Sequence, residues 1–458
     1  MYLSPILERF VRESPVTVIA RAAMEHAMAP EALDRIFGEQ AQEQYARDLL
    51  FSSVVDLMGV VVTMRQPSIC AAFQAVSHTL PVSLTALYNK VARTEPRVVS
   101  ALVQHTADRL APVICAMRGQ MPPRLGGLRV RILDGNHLAA TERRLEVLRG
   151  SIAGPLPGHA LVVLDPELML AVHMIPCEDG HAQERSLTSQ IIEKVVRDEV
   201  WIADRNFCTC PLLSGVVDRD AFYVIRQHAN LRVLSAGTLR KRGRVATGDV
   251  YEQSVVLTKG DGKTMKARRI VIRLDNPTRD GDTEMAILTN LPVNVADALC
   301  VAELYRGRWT LETMFQSLTQ MLEGEINALG YPRAALLGFG VALATYNVLS
   351  TVQAALRGHF GVETVQNEVS GYYIANEIRA TMSGMAIAVE RDAWEACQTM
   401  RPAVLARELV RWASHARLGA FKRHPRGPKK PVPKRTRFPD ETHISTARVL
   451  EESRRKSR

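Results

Sequence analysis

Tyr305, Arg308 and Glu312 stand three and four residues apart in the run Tyr305-Arg306-Gly307-Arg308-Trp309-Thr310-Leu311-Glu312. Residues at that spacing share one face of an α-helix. Helix-forming residues continue from about Asp297 to Glu323, so the sequence predicts a single long helix there. Leu304, Leu311, Phe315, Leu318 and Leu322 make a second stripe, turned by roughly 90° at ~100° per residue. The apolar stripe must pack on a core, which leaves the polar stripe facing something else. A carboxylate flanked by a phenol and a guanidinium suits a site that gathers a metal ion and a phosphate. A solvated helix face with an i,i+4 Arg308–Glu312 pair would carry the same residues.

Two more carboxylates lie upstream in matching settings. Asp134 ends Leu128-Arg129-Val130-Arg131-Ile132-Leu133-Asp134 and precedes Gly135-Asn136. Asp204 ends Val200-Trp201-Ile202-Ala203-Asp204 and precedes Arg205-Asn206-Phe207. Both read as acids at the C-terminal tip of a short apolar strand, where open α/β sheets place their sites. Two such aspartates and a glutamate on a later helix can bind two divalent metals for phosphodiester chemistry. Asp165 also ends a strand and competes for the second position; its place before Pro166 fits a turn cap better. His137 near Asp134 reads as a turn histidine or a ligand contact.

This pattern resembles the DDE transposases of bacterial insertion sequences, and more narrowly insertion sequence family four, marked by Tyr-x2-Arg-x3-Glu-x6-Lys. Tyr305, Arg308 and Glu312 match that signature, and Asp134 in Leu-Asp-Gly-Asn and Asp204 in Ala-Asp-Arg-Asn-Phe match its aspartate motifs. The spacings, 70 residues from Asp134 to Asp204 and 108 from Asp204 to Glu312, leave room for the family's β-rich insertion. Thr319 departs from the pattern, standing in the lysine position. The resemblance spans about 128–346. It implies an α/β ribonuclease-H-like catalytic core with a β-rich insertion, flanked by helical N- and C-terminal regions. It implies Asp134, Asp204 and Glu312 as catalytic ligands of two Mg2+ ions, with Mn2+ as a substitute. It also implies Arg308 and Tyr305 on DNA phosphates, and cut-and-paste transposition by a homodimer on double-stranded DNA, both transposon ends and target. Trp309 could stack on an unpaired base or pack in an interface. Arg333 is the nearest basic candidate in sequence to replace the missing lysine. The rival readings are a ribonuclease-H-like nuclease, a recruited transposase-derived DNA-binding protein, and a small-substrate phosphohydrolase.

Composition narrows the classes. Apolar residues make up 47% and charged residues 23%, which allows a buried core in about three domains at roughly 150 residues each. Seven scattered cysteines fit a reducing cytosol better than a disulfide framework, and Cys208-Thr209-Cys210 has the wrong spacing for zinc. The N-terminus has no signal-peptide pattern, and the apolar runs near Leu50–Met64 and Leu336–Val348 are too interrupted for a membrane span. No P-loop or dinucleotide fingerprint occurs. Together with the resemblance, this leads to the expectation of a cytoplasmic, nucleoid-associated protein. The net charge of +10 is concentrated: residues 417–458 hold 14 Lys/Arg and 4 Asp/Glu, leaving 44 basic and 44 acidic residues elsewhere. Such a block reads as a nucleic-acid arm.

The expected organisation is a helical DNA-binding or dimerisation region at 1–118 and a Gly/Pro linker at 119–127. The catalytic core follows at 128–228 and 294–358, interrupted by a β-rich insertion at 229–293. A helical region at 359–418 and an extended basic tail at 419–458 complete the chain. Within the first region, residues 68–94 read as two short helices, the second capped by Ser83. They fit either a helix-turn-helix reader with Thr85, Asn89 and Lys90 towards the groove, or a plain helical hairpin. The insertion is basic, with Arg240, Lys241, Arg242, Arg244, Arg268 and Arg269 among others, and reads as a DNA contact or a solvated β face. One helix is expected over Trp394–His415.

Overall fold

The computed structural model describes residues 4–44, 48–78, 80–138, 145–150, 155–259, 262–278, 281–326, 329–424 and 444–456. Seven helices come first: α1 (Pro5–Glu13), α2 (Pro15–Ala27), α3 (Pro30–Gln40), α4 (Phe51–Val62), α5 (Ile69–Val76), α6 (Leu84–Arg93) and α7 (Pro96–Ala116). Four of them open on proline, which suits a first turn whose N–H groups have no helical partner. Ser68 and Ser83 cap α5 and α6, each hydroxyl accepting a backbone N–H at 3.2 Å.

The chain then turns to strands: β1 (Arg129–His137), β2 (Pro155–Leu156), β3 (His159–Asp165), β4 (Leu170–Cys177), β5 (Glu199–Ala203) and β6 (Phe222–Arg226). Helices α8 (Thr188–Lys194) and α9 (Cys210–Val217) separate the last of these. Then come β7 (Leu234–Ser235), β8 (Arg240–Val245), β9 (Gly248–Thr258), β10 (Thr264–Leu274) and β11 (Glu284–Thr289). The strands run β4-β3-β1-β5-β6-β11-β10-β9-β7 in one sheet, with β8 also on β9. β1, β3 and β4 are mutually antiparallel, while β5 and β6 run parallel to β1. The segment 229–293 is therefore not a separate β unit. β11 pairs antiparallel with β6, so the insertion prolongs the central sheet.

β3 and β5 are buried at every residue, as strands covered on both faces must be. Alternate residues serve opposite cores. Ile132, Val162, Ile202 and Val224 join the large core shared with the long helices, whereas Leu133, Val163, Trp201 and Tyr223 join a smaller one under α8 and α9. Beneath the sheet, Arg131 pairs with Glu199 at 2.9 Å and with Asp165. Asp165 Oδ1 also accepts the N–H groups of Glu167 and Leu168 at 2.9 Å, which makes it a turn cap.

The remaining helices are α10 (Ala298–Arg306), α11 (Trp309–Met321), α12 (Pro332–Phe360), α13 (Val362–Glu368), α14 (Gly371–Ala388), α15 (Asp392–Thr399) and α16 (Pro402–Ala413), followed by β12 (Ile444–Ser445) and α17 (Thr446–Lys456). α12 is long and apolar enough to cross a membrane by composition, but that stretch is buried inside the protein against α2, α4, α7 and α16. Its Asn347 is fully satisfied: Oδ1 accepts Ala171 N at 2.8 Å, while Nδ2 donates to Ala171 O at 3.0 Å and Thr106 Oγ1 at 3.2 Å. This amide keys α12 to β4 and α7. The N-terminal helices share a core with α14, α15 and α16, so the two helical ends pack as one body.

Four expectations are corrected. The helix over 297–323 is two, because the chain tightens at Gly307, whose N–H is shared between Glu303 O and Leu304 O. A Cβ there would collide with the Arg124 guanidinium, which donates to Thr310 Oγ1 at 2.7 Å. Residues 119–127 are accordingly a packed strap rather than a free linker: Arg357 Nε donates to Gly119 O at 2.6 Å and Met121 N to Glu167 O at 2.7 Å. The helix expected over 394–415 splits at Pro402, which begins α16. The tail does not start at 419, since Phe421 is buried and Arg423 N donates to Glu368 O at 2.6 Å. Its far end is also ordered against the core, β12 pairing with β2 and Arg448 with Asp179 at 2.7 Å. The basic run Arg426–Arg435 lies outside the described residues, as does part of the turn expected at 260–262.

Candidate active site

Register builds the site. The last pair between β1 and β5 is Ile132 with Ile202. Asp134 and Asp204 each lie two residues beyond that pair, on the face towards the large core. Neighbouring strands run about 4.8 Å apart, so two such residues are brought side by side. Asp134 is not at a strand tip as the sequence implied. β1 continues to His137 on β3, with Asp134 opposite Val162. Asp204 does follow the end of its strand, and its Oδ1 accepts Asn206 N at 2.8 Å to start a 3-10 turn over Arg205–Phe207.

The break at Gly307 puts Glu312 in the first turn of α11, where the helix dipole favours a carboxylate. Leu311, Met314 and Leu318 anchor α11 in the large core below Asp134. Arg308 then reaches both acids: Nη1 donates to Asp134 Oδ2 at 2.7 Å and Nη2 to Glu312 Oε1 at 2.6 Å. The three side chains are 12%, 17% and 32% exposed, so the pairs are only partly screened. Arg308 Nε is buried without an acceptor. Burial pushes the Asp134 carboxyl up to about 6, against the pull of Arg308 and helped by repulsion from Asp204 and Glu312. Arg308 lies between Asp134 and Glu312, and among the described residues no three His, Cys, Asp or Glu side chains surround one point closely enough for a metal ion.

A fourth acid, Glu184, escaped the sequence reading. It opens a 3-10 turn over Glu184–Leu187 that packs on the turn after Asp204. Asn206 Nδ2 donates to Glu184 Oε2 at 3.4 Å, and a Cβ at Gly135 would run into Glu184 Oε1. Burial pushes this carboxyl up to about 7, with repulsion from Asp204 and Asp134 added and the Asn206 amide opposing. Nothing in the sequence marked it, because an acid in the first turn of a helix is ordinary capping chemistry. Glu184, Asn206, His137, His181 and His228 line a cavity of about 680 Å³. His137 stacks on His159 with ring centroids 5.2 Å apart.

The other candidate residues lie in different settings. Tyr305 is 6% exposed, its phenol pushed up by burial, and Trp309 is 60% exposed with the Arg308 guanidinium 5.4 Å from its ring centroid. Thr319 turns its hydroxyl back onto Gln316 O at 3.0 Å. Arg333 is held by Glu43 at 2.6 Å and Glu178 at 3.1 Å, because α12 starts against the N-terminal helices and the end of β4. Lys90 Nζ lies 3.7 Å from the Phe37 ring centroid, whereas Thr85 and Asn89 are exposed. Many basic residues of the sheet extension face acids: Lys241 meets Asp249 at 2.9 Å, Arg242 meets Glu252 at 2.7 Å, and Arg268 meets Glu252 at 2.6 Å.

Residues 127–347 match the family described as Transposase DDE domain. That stretch contains Asp134, Glu184, Asp204, Arg308 and Glu312. The chain is also 30% identical over 129 residues to the Sinorhizobium fredii protein named "Putative transposase y4zB". The similarity covers 27% of this chain and 34% of that protein, so the chain spans about a third of the length of the relative it matches.

Proposed function

We propose that the chain is a transposase of the insertion sequence family four type, which cuts DNA at the ends of a mobile element and joins the freed 3′ end to target DNA. The observation that carries this reading is the β1–β5 register, which sets Asp134 beside Asp204, with Arg308 linking Asp134 to Glu312. The order β4-β3-β1-β5-β6, with two antiparallel and two parallel neighbours, supports a ribonuclease-H-like core interrupted by a sheet extension. The match over 127–347 supports the same class.

The donor set is all carboxylate, which suits hard divalent cations, and repulsion among Asp134, Glu184 and Asp204 marks a site short of positive charge. Asp134, Asp204 and Glu312 would hold two Mg2+ ions, or Mn2+ in their place. Bound there, the cations supply an acidified nucleophile and charge neutralisation at the leaving oxygen. The chain does the rest. Asn206 fixes Asp204 through its backbone N–H. Arg308, with a buried Nε lacking an acceptor, is a planar donor that can exchange its carboxylates for a phosphate. Tyr305 lies against it, and Trp309 stands exposed at the rim to meet a base. Duplex DNA at the element's ends and at the target is the substrate, bound by a homodimer, with the basic tail neutralising phosphates. A nucleoid-associated place in the cytoplasm follows from that substrate.

The test is cleavage of end DNA beside gel-shift binding. Asp134→Asn, Asp204→Asn and Glu312→Gln should each abolish cleavage by at least about a thousandfold, a loss of ~4 kcal/mol, while binding changes little. Wild-type cleavage by any one of them removes that residue from the site. Cleavage without strand transfer by the wild-type chain would leave a nuclease instead.

A further inference from the structure

We propose that Glu184 is a fourth carboxylate of this site and would serve as a ligand for the cation that Asp204 holds. The inference rests on the functional reading above and adds a residue to it.

Glu184 belongs to neither aspartate loop, yet its carboxylate touches both. One oxygen lies against Gly135, the residue after Asp134, where a Cβ would push it aside. The other lies 3.4 Å from Asn206 Nδ2, whose own backbone N–H holds Asp204 Oδ1 at 2.8 Å. Asp134 and Glu312 share Arg308 as a counter-ion, but among the described residues neither Glu184 nor Asp204 is in an ion pair. Glu184 also forms part of the wall of the roughly 680 Å³ cavity, so an ion and a phosphate can reach it from solvent. A purely structural pin would need only the Asn206 contact. It would not need the close approach of the second oxygen to Gly135, next to Asp134.

The test is Mn2+ binding to the full chain without DNA, read by calorimetry, in Glu184→Gln, Gly135→Ala and Asp204→Asn. Glutamine keeps an acceptor for Asn206 and removes only the charge. The expected result is Mn2+ affinity at least about tenfold weaker in Glu184→Gln. Gly135→Ala, which displaces the carboxylate without removing any acid, should weaken it in the same direction, and the double variant should be no weaker than Glu184→Gln alone. Wild-type affinity in Glu184→Gln with weakened affinity in Asp204→Asn overturns the role of Glu184 and leaves the functional reading standing. Unchanged affinity in all three overturns both. If Glu184→Gln does not fold, Gly135→Ala decides, since wild-type affinity there refutes the proposal.

Discussion

Arg308 and Asp134 are 174 residues apart in the chain, and their side chains meet at 2.7 Å. The contact joins the start of α11 to the middle of β1, and a second bond from the same guanidinium holds Glu312 at 2.6 Å. One cation therefore balances two acids, in the place where the proposed chemistry needs divalent ions.

Replacing Arg308 with alanine should expose that dual role. Without divalent cations the variant should lose about 1–3 kcal/mol of stability, because two partly buried carboxylates lose their partner. The lower part of that range reflects the screening of Glu312. Mg2+ should then raise the melting temperature of Arg308→Ala more than that of the wild type. Equal shifts in the two proteins would mean that Arg308 and the cations do not compete for the same acids.

The pH dependence has a definite sign. The Asp134 carboxyl is raised from 3.8 to about 6 and that of Glu184 from 4.5 to about 7. The folded state thus holds protons that the unfolded state releases, and stability must fall as pH rises through that window. Melting temperature without divalent cations should decline between about pH 4 and 7 from these groups. The decline should be smaller in Asp134→Asn and in Glu184→Gln. Mg2+ affinity should rise over the same range, because ion and proton compete. A melting temperature flat across this range, with no difference among the three proteins, would contradict the raised values.

Deleting residues 425–458 removes 11 Lys/Arg and 4 Asp/Glu while sparing the contacts of Phe421 and Arg423. DNA binding should weaken and its salt dependence flatten, by about 0.9 in log–log slope for each phosphate that the tail neutralises. The deletion also removes the β12–β2 pairing and the Arg448–Asp179 pair, so a small drop in melting temperature should accompany it. An unchanged slope in a salt titration would show that the tail does not touch DNA.

Arg333→Ala should act on stability rather than on cleavage. Its guanidinium links Glu43 and Glu178, and a partly exposed pair of this kind contributes about 1 kcal/mol or less. Denaturant unfolding should show that loss, while cleavage per folded molecule stays within about twofold of wild type. A specific loss of cleavage would instead bring Arg333 to the DNA and restore it as the substitute for the lysine missing at Thr319.

The sequence by itself determined that Asp204 follows a strand and that Tyr305, Arg308 and Glu312 recur at helical spacing. Alternation around Ile132 and Ile202, and the helical spacing of Tyr305, Arg308 and Glu312, are local patterns set by period 2 and period 3.6. Much of the helix and strand pattern was legible for the same reason, down to the Ser83 cap and the turn at Asp165. Tertiary structure decided the rest. The long helix breaks at Gly307, where the chain tightens and the Arg124 side chain, arriving from the strap at 119–127, lies in the space a Cβ would fill. Asp134 sits inside β1 rather than at its tip because β3 pairs beyond the point where β5 stops. The sheet extension joins the core through β11 and β6, a pairing across about 60 residues that no local period encodes. Glu184 enters the site, and Arg333 turns away from the place its number suggested, because contacts across the chain are chosen by packing and charge balance rather than by spacing along it.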